Sequence, residues 1–197
     1  MAWAPDYVDE GALADFVRTE SDNPYVGTYG TAAARAVDDT CNRQFGQLDE
    51  AATFTYDSSA AAQLPNGRWL IQIDDVQDLT GVTISLDGIT LTEGVDGYEW
   101  WERNAVAKGK PYTAITLASR PAGELAVLAK FGWSAVPAPV PAAVWLQVNR
   151  WHVRRESPYG TAGSPGEGSE VRLSARLDPD ARAILAGGQL IRARMPQ

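Results

Sequence analysis

One cysteine, one histidine and two methionines are all that the 197 residues hold of these types, and no apolar run approaches the ~20 residues of a membrane-spanning helix. A single cysteine, Cys41, excludes an intrachain disulfide and any site built on several thiolates; its expected role is a small buried apolar residue. His152 has no nucleophile motif to pair with, and between Trp151 and Val153 it is expected to pack or hydrogen-bond rather than catalyse. P-loop and dinucleotide fingerprints are absent. The pairs Asp38–Asp39 and Asp74–Asp75 fit no calcium-loop pattern, and neighbouring residues do not share a helical face, so solvated carboxylates are expected. No metal and no cofactor is therefore expected. The opening "MAWAPDYVDE" lacks a basic stretch ahead of an apolar one, so no signal peptide is expected, and the protein is expected to stay in the cytosol where it is made.

Positive charge is scarce in the first half. Residues 1–100 carry 18 acidic and 4 basic side chains, for −14, and residues 101–197 carry 7 acidic and 13 basic, for +6. The net charge of −8 argues against a protein that grips nucleic-acid phosphates, since that affinity comes from Lys and Arg displacing counterions. The opposed halves read either as two solvated faces or as complementary flanks of a self-associating subunit.

What is present is a helical beginning, a β-rich middle and a helical end, an α+β chain. In "DYVDEGALADFVRT", Asp9 is an N-cap and Leu13, Phe16 and Val17 share a helical face. Asn23 caps and Pro24 opens a second helix, whose stripe Val26, Tyr29, Ala33, Val37, Thr40, Cys41 and Phe45 runs to near Gly46. From about residue 51 the period becomes two: "TFTY", "RWLIQID", "GVTISL", "ITLTE", "YEWW", "TAITLA" and "ELAVLAKFGW" read as strands, with Asp87-Gly88 as a two-residue hairpin turn. Pro137, Pro139 and Pro141 force an extended lead-in, so a helix is expected to begin at Pro141. "SPYGTAGSPGEGSE" reads as a loop and "VRLSARL" as a strand. Asp178 caps a short helix stopped by Gly187-Gly188, followed by a basic tail. Four segments result: residues 1–50, helical; 51–133, an inserted antiparallel β-module; 134–156, a proline-led long helix; and 157–197, loop, strand, short helix and tail.

The long helix is apolar on two sides. At 100° per residue Val144, Val148 and Trp151 form one stripe, Leu146 and Val153 a second nearly opposite, and Trp145 lies between. Two packing partners are implied, its own core and either the β-module or a neighbouring subunit. Arg150, Arg154 and Arg155 beside Trp151 suit protein or DNA contact, the acidic remainder favouring protein. The seven tryptophans also raise a carbohydrate- or surface-binding reading. Alternation sends Trp100 and Trp101 to opposite faces of a strand, so only one can form a platform.

In order of parts, "DYVDEGALADFVR", "AAARAVDDTCNRQF", "FGWSAVPAPVPAAVWLQVNRWHVRRESPYGTAG" and "VRLSARLDPDARAIL" resemble the head-to-tail connector (adaptor) proteins of long-tailed double-stranded DNA bacteriophages. The resemblance rests on Ala33, Val37, Cys41, Arg43 and Phe45, and on Gly132, Trp133, Val136, Pro137, Ala142, Arg155, Glu156, Ser157, Pro158 and Gly160; it covers about 1–50 and 131–190. Compact members of that family are mainly helical, so residues 51–130 depart from them, as in variants with a larger β insertion. The resemblance implies a connector core of about four helices with that insertion. It also implies a non-enzymatic virion component at the head–tail junction, assembled in the bacterial host cytoplasm. Its expected partners are itself, in a ring usually of twelve, the portal protein above, and a neck or tail-completion protein below. DNA would pass through without specific binding, and no membrane is involved. The residues expected to meet a neighbouring subunit or the portal are Trp145, Leu146, Arg150, Trp151, Val153, Arg154, Arg155, Tyr159, Arg172, Arg176, Arg192 and Arg194.

Overall fold

The computed structural model describes residues 3–20, 23–156, 161–162, 171–172 and 177–193. The chain is mixed α+β, with four α-helices and a dominant seven-stranded sheet among the described residues. Within the described residues it divides into two compact units, one of residues 3–4 and 45–135, the other of 5–44 and 136–193.

The helical unit draws on both ends of the chain. Helix α1 (Glu10–Val17) is capped by the Asp9 carboxylate on the Ala12 N–H, and α2 (Pro24–Cys41) by Asn23 on the Tyr25 N–H, as the sequence suggests. Helix α3 spans Pro139–Glu156 and α4 Pro179–Gly187. A two-residue pair, β8 (Thr161–Ala162) and β9 (Val171–Arg172), is described apart from these; the rest of the expected strand "VRLSARL" up to residue 176 lies outside the described residues. Leu13, Val26, Ala33, Val37, Cys41, Val140, Val144, Val148 and Leu185 form the apolar interior, each 2% exposed or less. Phe16, expected beside Leu13 and Val17, is instead 45% exposed.

Two helix boundaries differ from expectation. Helix α2 stops at Cys41 because Asn42 takes the left-handed conformation as its C-cap, and Phe45, read as the end of the helical stripe, is buried against Trp133 in the other unit. Helix α3 starts at Pro139 rather than Pro141. Prolines at its first and third positions lack N–H groups that would have no partner within the helix in any case; the first i−4 bond joins the Ala142 N–H to the Ala138 carbonyl. Val140, which Pro141 disfavours from helical geometry, is held there by complete burial.

The β-rich unit is antiparallel, in the order β1 (Ala52–Asp57), β7 (Glu124–Phe131), β3 (Trp69–Leu86), β6 (Tyr112–Leu117), β5 (Tyr98–Trp101). The short β2 (Ala62–Gln63) and β4 (Ile89–Thr90) pair with β3. "RWLIQID" and "GVTISL", read as two strands, are one. Their Asp- and Gly-rich joint is a bulged stretch of β3 that keeps pairing with β7 through register shifts between Val76 and Thr83. "ITLTE" keeps only its first two residues as strand. Asp87 and Gly88 take φ of 49° and 76°, as the hairpin turn requires. Alternation along β7 buries Leu125, Val127, Ala129 and Phe131 on one face, where Phe131 stacks on Phe54 at 4.0 Å. Arg68, just ahead of β3, bonds the Thr116 hydroxyl and carbonyl on β6 and the carbonyls of Val95 and Gly97 in the loop before β5.

Of the acidic pairs only Asp39 is the solvated carboxylate expected; Asp38 and Asp75 are buried and Asp74 is half-buried. Asp75 is 4% exposed and accepts a 2.8 Å bond from the Trp133 indole, while Asp74 accepts from the Tyr56 hydroxyl at 3.0 Å. Asp38, also 4% exposed, accepts from the Tyr7 hydroxyl at 2.6 Å and lies 3.1 Å from the Arg35 guanidinium. Arg35 in turn bonds the Pro5 carbonyl, fastening the segment ahead of α1 to α2. Burial is what sequence spacing could not show.

Burial pushes the Asp38 carboxyl up to about 6, against the Tyr7 hydrogen bond and the Arg35 charge, from an ordinary 3.8. The folded protein therefore holds this proton more tightly than the unfolded chain. Its contribution to stability is full below pH 3.8 and is lost as pH rises through about 6. Urea titrations across that window should show stability falling by on the order of 1–3 kcal/mol more in the wild type than in Asp38→Asn.

Candidate functional site

Helix α3 carries most of the residues that the sequence singles out, and its inner face sets what the outer face presents. Val140, Ala143, Val144, Gln147 and Val148, at i, i+3, i+4, i+7 and i+8, are all buried, against α1, α2 and α4. Gln147 is the polar member of this stripe and is fully buried; its side-chain oxygen accepts the Asp178 N–H at 2.7 Å. Sequence reasoning missed it, although a glutamine on an apolar stripe was a visible signal.

Asp178 itself gathers four interactions. Its carboxylate accepts the Asp180 and Ala181 N–H groups, capping α4, and meets the Arg150 guanidinium at 2.6 Å, while its own N–H goes to Gln147. Partial burial pushes its pKa up, but the Arg150 hydrogen bond and the two backbone N–H groups outweigh this and hold it below the ordinary value. Arg150, assigned from sequence to a neighbour, is thus engaged inside its own unit, with only 15% of its side chain exposed.

Two aromatic groups flank α3. Trp145 stacks on Phe16 of α1, with centroids 5.8 Å apart and planes 23° apart. Trp151 tilts against Tyr29 of α2 at 6.2 Å, Tyr29 against Tyr25 at 6.4 Å, and the Arg155 guanidinium lies 4.2 Å over the Tyr25 ring. Their outer members remain open to solvent: Phe16 is 45% and Tyr25 50% exposed, and Val153 on the second apolar side is 40% exposed. Leu146 and Trp151 are half-buried. Arg154 and Arg155 are exposed in the last turn, where cations complement the helix dipole.

The other expected contact residues are placed unevenly. The Arg192 main chain is bonded to the end of α2, its N–H to the Cys41 carbonyl and its carbonyl to the Asn42 amide. Arg172 lies on β9; Tyr159, Arg176 and Arg194 lie outside the described residues. Residues 194–197 of the tail and the loop expected over 157–170 are likewise outside them, save for β8. The acidic and basic halves of the sequence do not form two separate bodies, because α1 and α2 pack in one unit with α3.

Cys41 is fully buried, and burial, opposed by Arg43 and assisted by Asp38, drives its thiol up to about 12, which removes it as a nucleophile. Among the described residues no group of three His, Cys, Asp or Glu side chains could hold a metal ion, and no helix is long and apolar enough to cross a membrane. Trp100 is 6% exposed and stacks on Tyr112, whereas Trp101 is 37% exposed, the opposite-face arrangement that alternation requires. No protein-family model and no curated protein matches the chain.

The helical packing makes two contrasting expectations. Asp178→Ala removes the α4 cap and strands a mostly buried guanidinium, and should cost about 2–4 kcal/mol in urea unfolding followed by circular dichroism. Phe16→Ala removes one exposed stacking partner and should cost only about 1 kcal/mol in the same assay.

Proposed function

We propose that this protein is a structural, non-enzymatic subunit of a head-to-tail connector ring of a long-tailed bacteriophage, docking beneath the portal and continuing the DNA channel toward the neck and tail. The observation that carries the reading is the outer side of the helical unit. Phe16, Tyr25 and Val153 stand exposed around α3 beside Arg154 and Arg155, in the segments that carry the resemblance to connector proteins. Exposed aromatic and arginine side chains on a rigid helical support are the usual anchors of protein interfaces.

A closed ring uses heterologous contacts, so each subunit needs two different flanks. In this reading the aromatic sides of α3 provide one or both, and the helical unit is the connector core that carries the β-rich unit as an insertion. The ring is dodecameric by the resemblance. Its partners are other copies of itself, the portal above and a neck or tail-completion protein below, at the head–tail junction of the virion. The net charge of −8 suits a channel through which DNA passes without being held.

The test is co-sedimentation with DNA-filled, tailless heads that bear a portal. Wild-type protein should pellet with the heads, and the double variant Phe16→Ala, Val153→Asp should lose roughly tenfold or more of that binding while keeping its circular dichroism spectrum, as expected for loss of interface anchors. Wild-type protein left in the supernatant, or a variant that binds heads normally, would refute the reading.

A further inference from the structure

The β-rich unit holds a cleft of its own, unrelated to the helical face. It has a volume of about 650 Å³, within the usual size of a small-ligand site, and lies between the end of β1 with the 3-10 turn Ser58–Ala60, the start of β3, and the loop leading into β7. Tyr56, Asp57, Ser59, Trp69, Arg120 and Glu124 contribute its chemistry.

The walls are fastened before any ligand arrives. The Ser58 hydroxyl donates to the Gly123 carbonyl at 2.6 Å, and the Glu124 N–H reaches the Asp87 carboxylate at 3.2 Å. Gly123 has φ of 88°, and a side chain there would collide with that same carboxylate, so the loop conformation is set by glycine. Asp57 is held by Ser59 on both oxygens, N–H to Oδ1 at 2.8 Å and hydroxyl to Oδ2 at 2.7 Å, and these bonds keep it ionised. Each of its oxygens retains a lone pair for a further donor.

Arg120 is the cation of the cleft. Its guanidinium lies 5.3 Å from the Trp69 ring centroid and forms no ion pair among the described residues. A guanidinium resting on an aromatic ring keeps its N–H edges for a planar anion. Two carboxylates, Asp57 and Glu124, line the same space, so a bare anion such as phosphate meets net repulsion. The lining suits a ligand with one carboxylate for Arg120, several hydroxyl donors for Asp57 and Glu124, and apolar C–H faces for Tyr56 and Trp69.

We propose that this cleft binds an acidic saccharide, with its carboxylate on Arg120 and its hydroxyls on Asp57 and Glu124. The site belongs to the β-rich unit and stands or falls independently of the connector role.

Calorimetric titration of the full chain distinguishes the possible ligands, using a uronic-acid oligosaccharide, a neutral gluco-oligosaccharide, inorganic phosphate and an aspartate-rich peptide. The uronate should bind, and Arg120→Gln should weaken it roughly tenfold or more with an unchanged circular dichroism spectrum, as expected for a lost charge-assisted bidentate contact. Asp57→Asn should weaken it less, because the amide still accepts one hydroxyl. Absence of uronate binding overturns the proposal. So does equal binding of the neutral sugar, phosphate or peptide, or wild-type affinity in Arg120→Gln.

Discussion

The meeting of Asp178 with Arg150 and Gln147 fixes the rotation of α3, and most of what the helical unit presents follows from that rotation. A helix turns 100° per residue, so a slip of one position would carry Trp145 inward and bring Gln147 toward solvent. Apolar burial alone would resist such a slip weakly, because α3 also has Leu146 and Val153 on its other side. The polar contacts are directional, and leaving a mostly buried guanidinium or amide without its partner is costly. Helix α4 begins where the same carboxylate caps it, so one side chain sets the start of one helix and the facing of another.

The helices were largely legible in the sequence because their caps and periodicities are local. Asp9, Asn23 and Asp178 stand where side-chain oxygens satisfy first-turn N–H groups, and the structure uses each in that way. The failures occur where distant residues decide. "DDVQDLTG" looks like a break between strands, yet the ladder to β7 carries β3 through it. Phe45 keeps helical spacing with Cys41, yet Asn42 ends the helix and Trp133, remote in sequence, takes the ring. Asp38 and Asp75 look like surface charge until Tyr7 and Trp133 are brought to them.

The candidate site was legible by segment rather than by residue. The α3 stretch reads from sequence as apolar on two sides, and Trp145, Trp151 and Val153 lie on its partly open surface. The engagement of Arg150 was not legible, because an arginine in a basic run gives no sign of a carboxylate twenty-eight positions away. Phe16 and Tyr25 were not singled out as contact residues, since an aromatic residue at helical spacing ordinarily belongs to a core. The cleft near Arg120 left no motif at all, being assembled from a strand end, a short turn and a glycine-shaped loop.

Gly132 carries a consequence for how the β-rich unit forms. Its N–H bonds the Asp75 carbonyl, its neighbours bond residues 46 and 48, and any side chain on it would strike the Gly46 carbonyl. Three stretches far apart in sequence thus close on one glycine, and β1 gains its single ladder partner only when β7 arrives. Closing such long loops is slow compared with forming local hairpins. During synthesis β1 must therefore wait, unpaired, until residues 124–129 emerge from the ribosome, and the threonines that alternate along it keep that waiting strand hydrated.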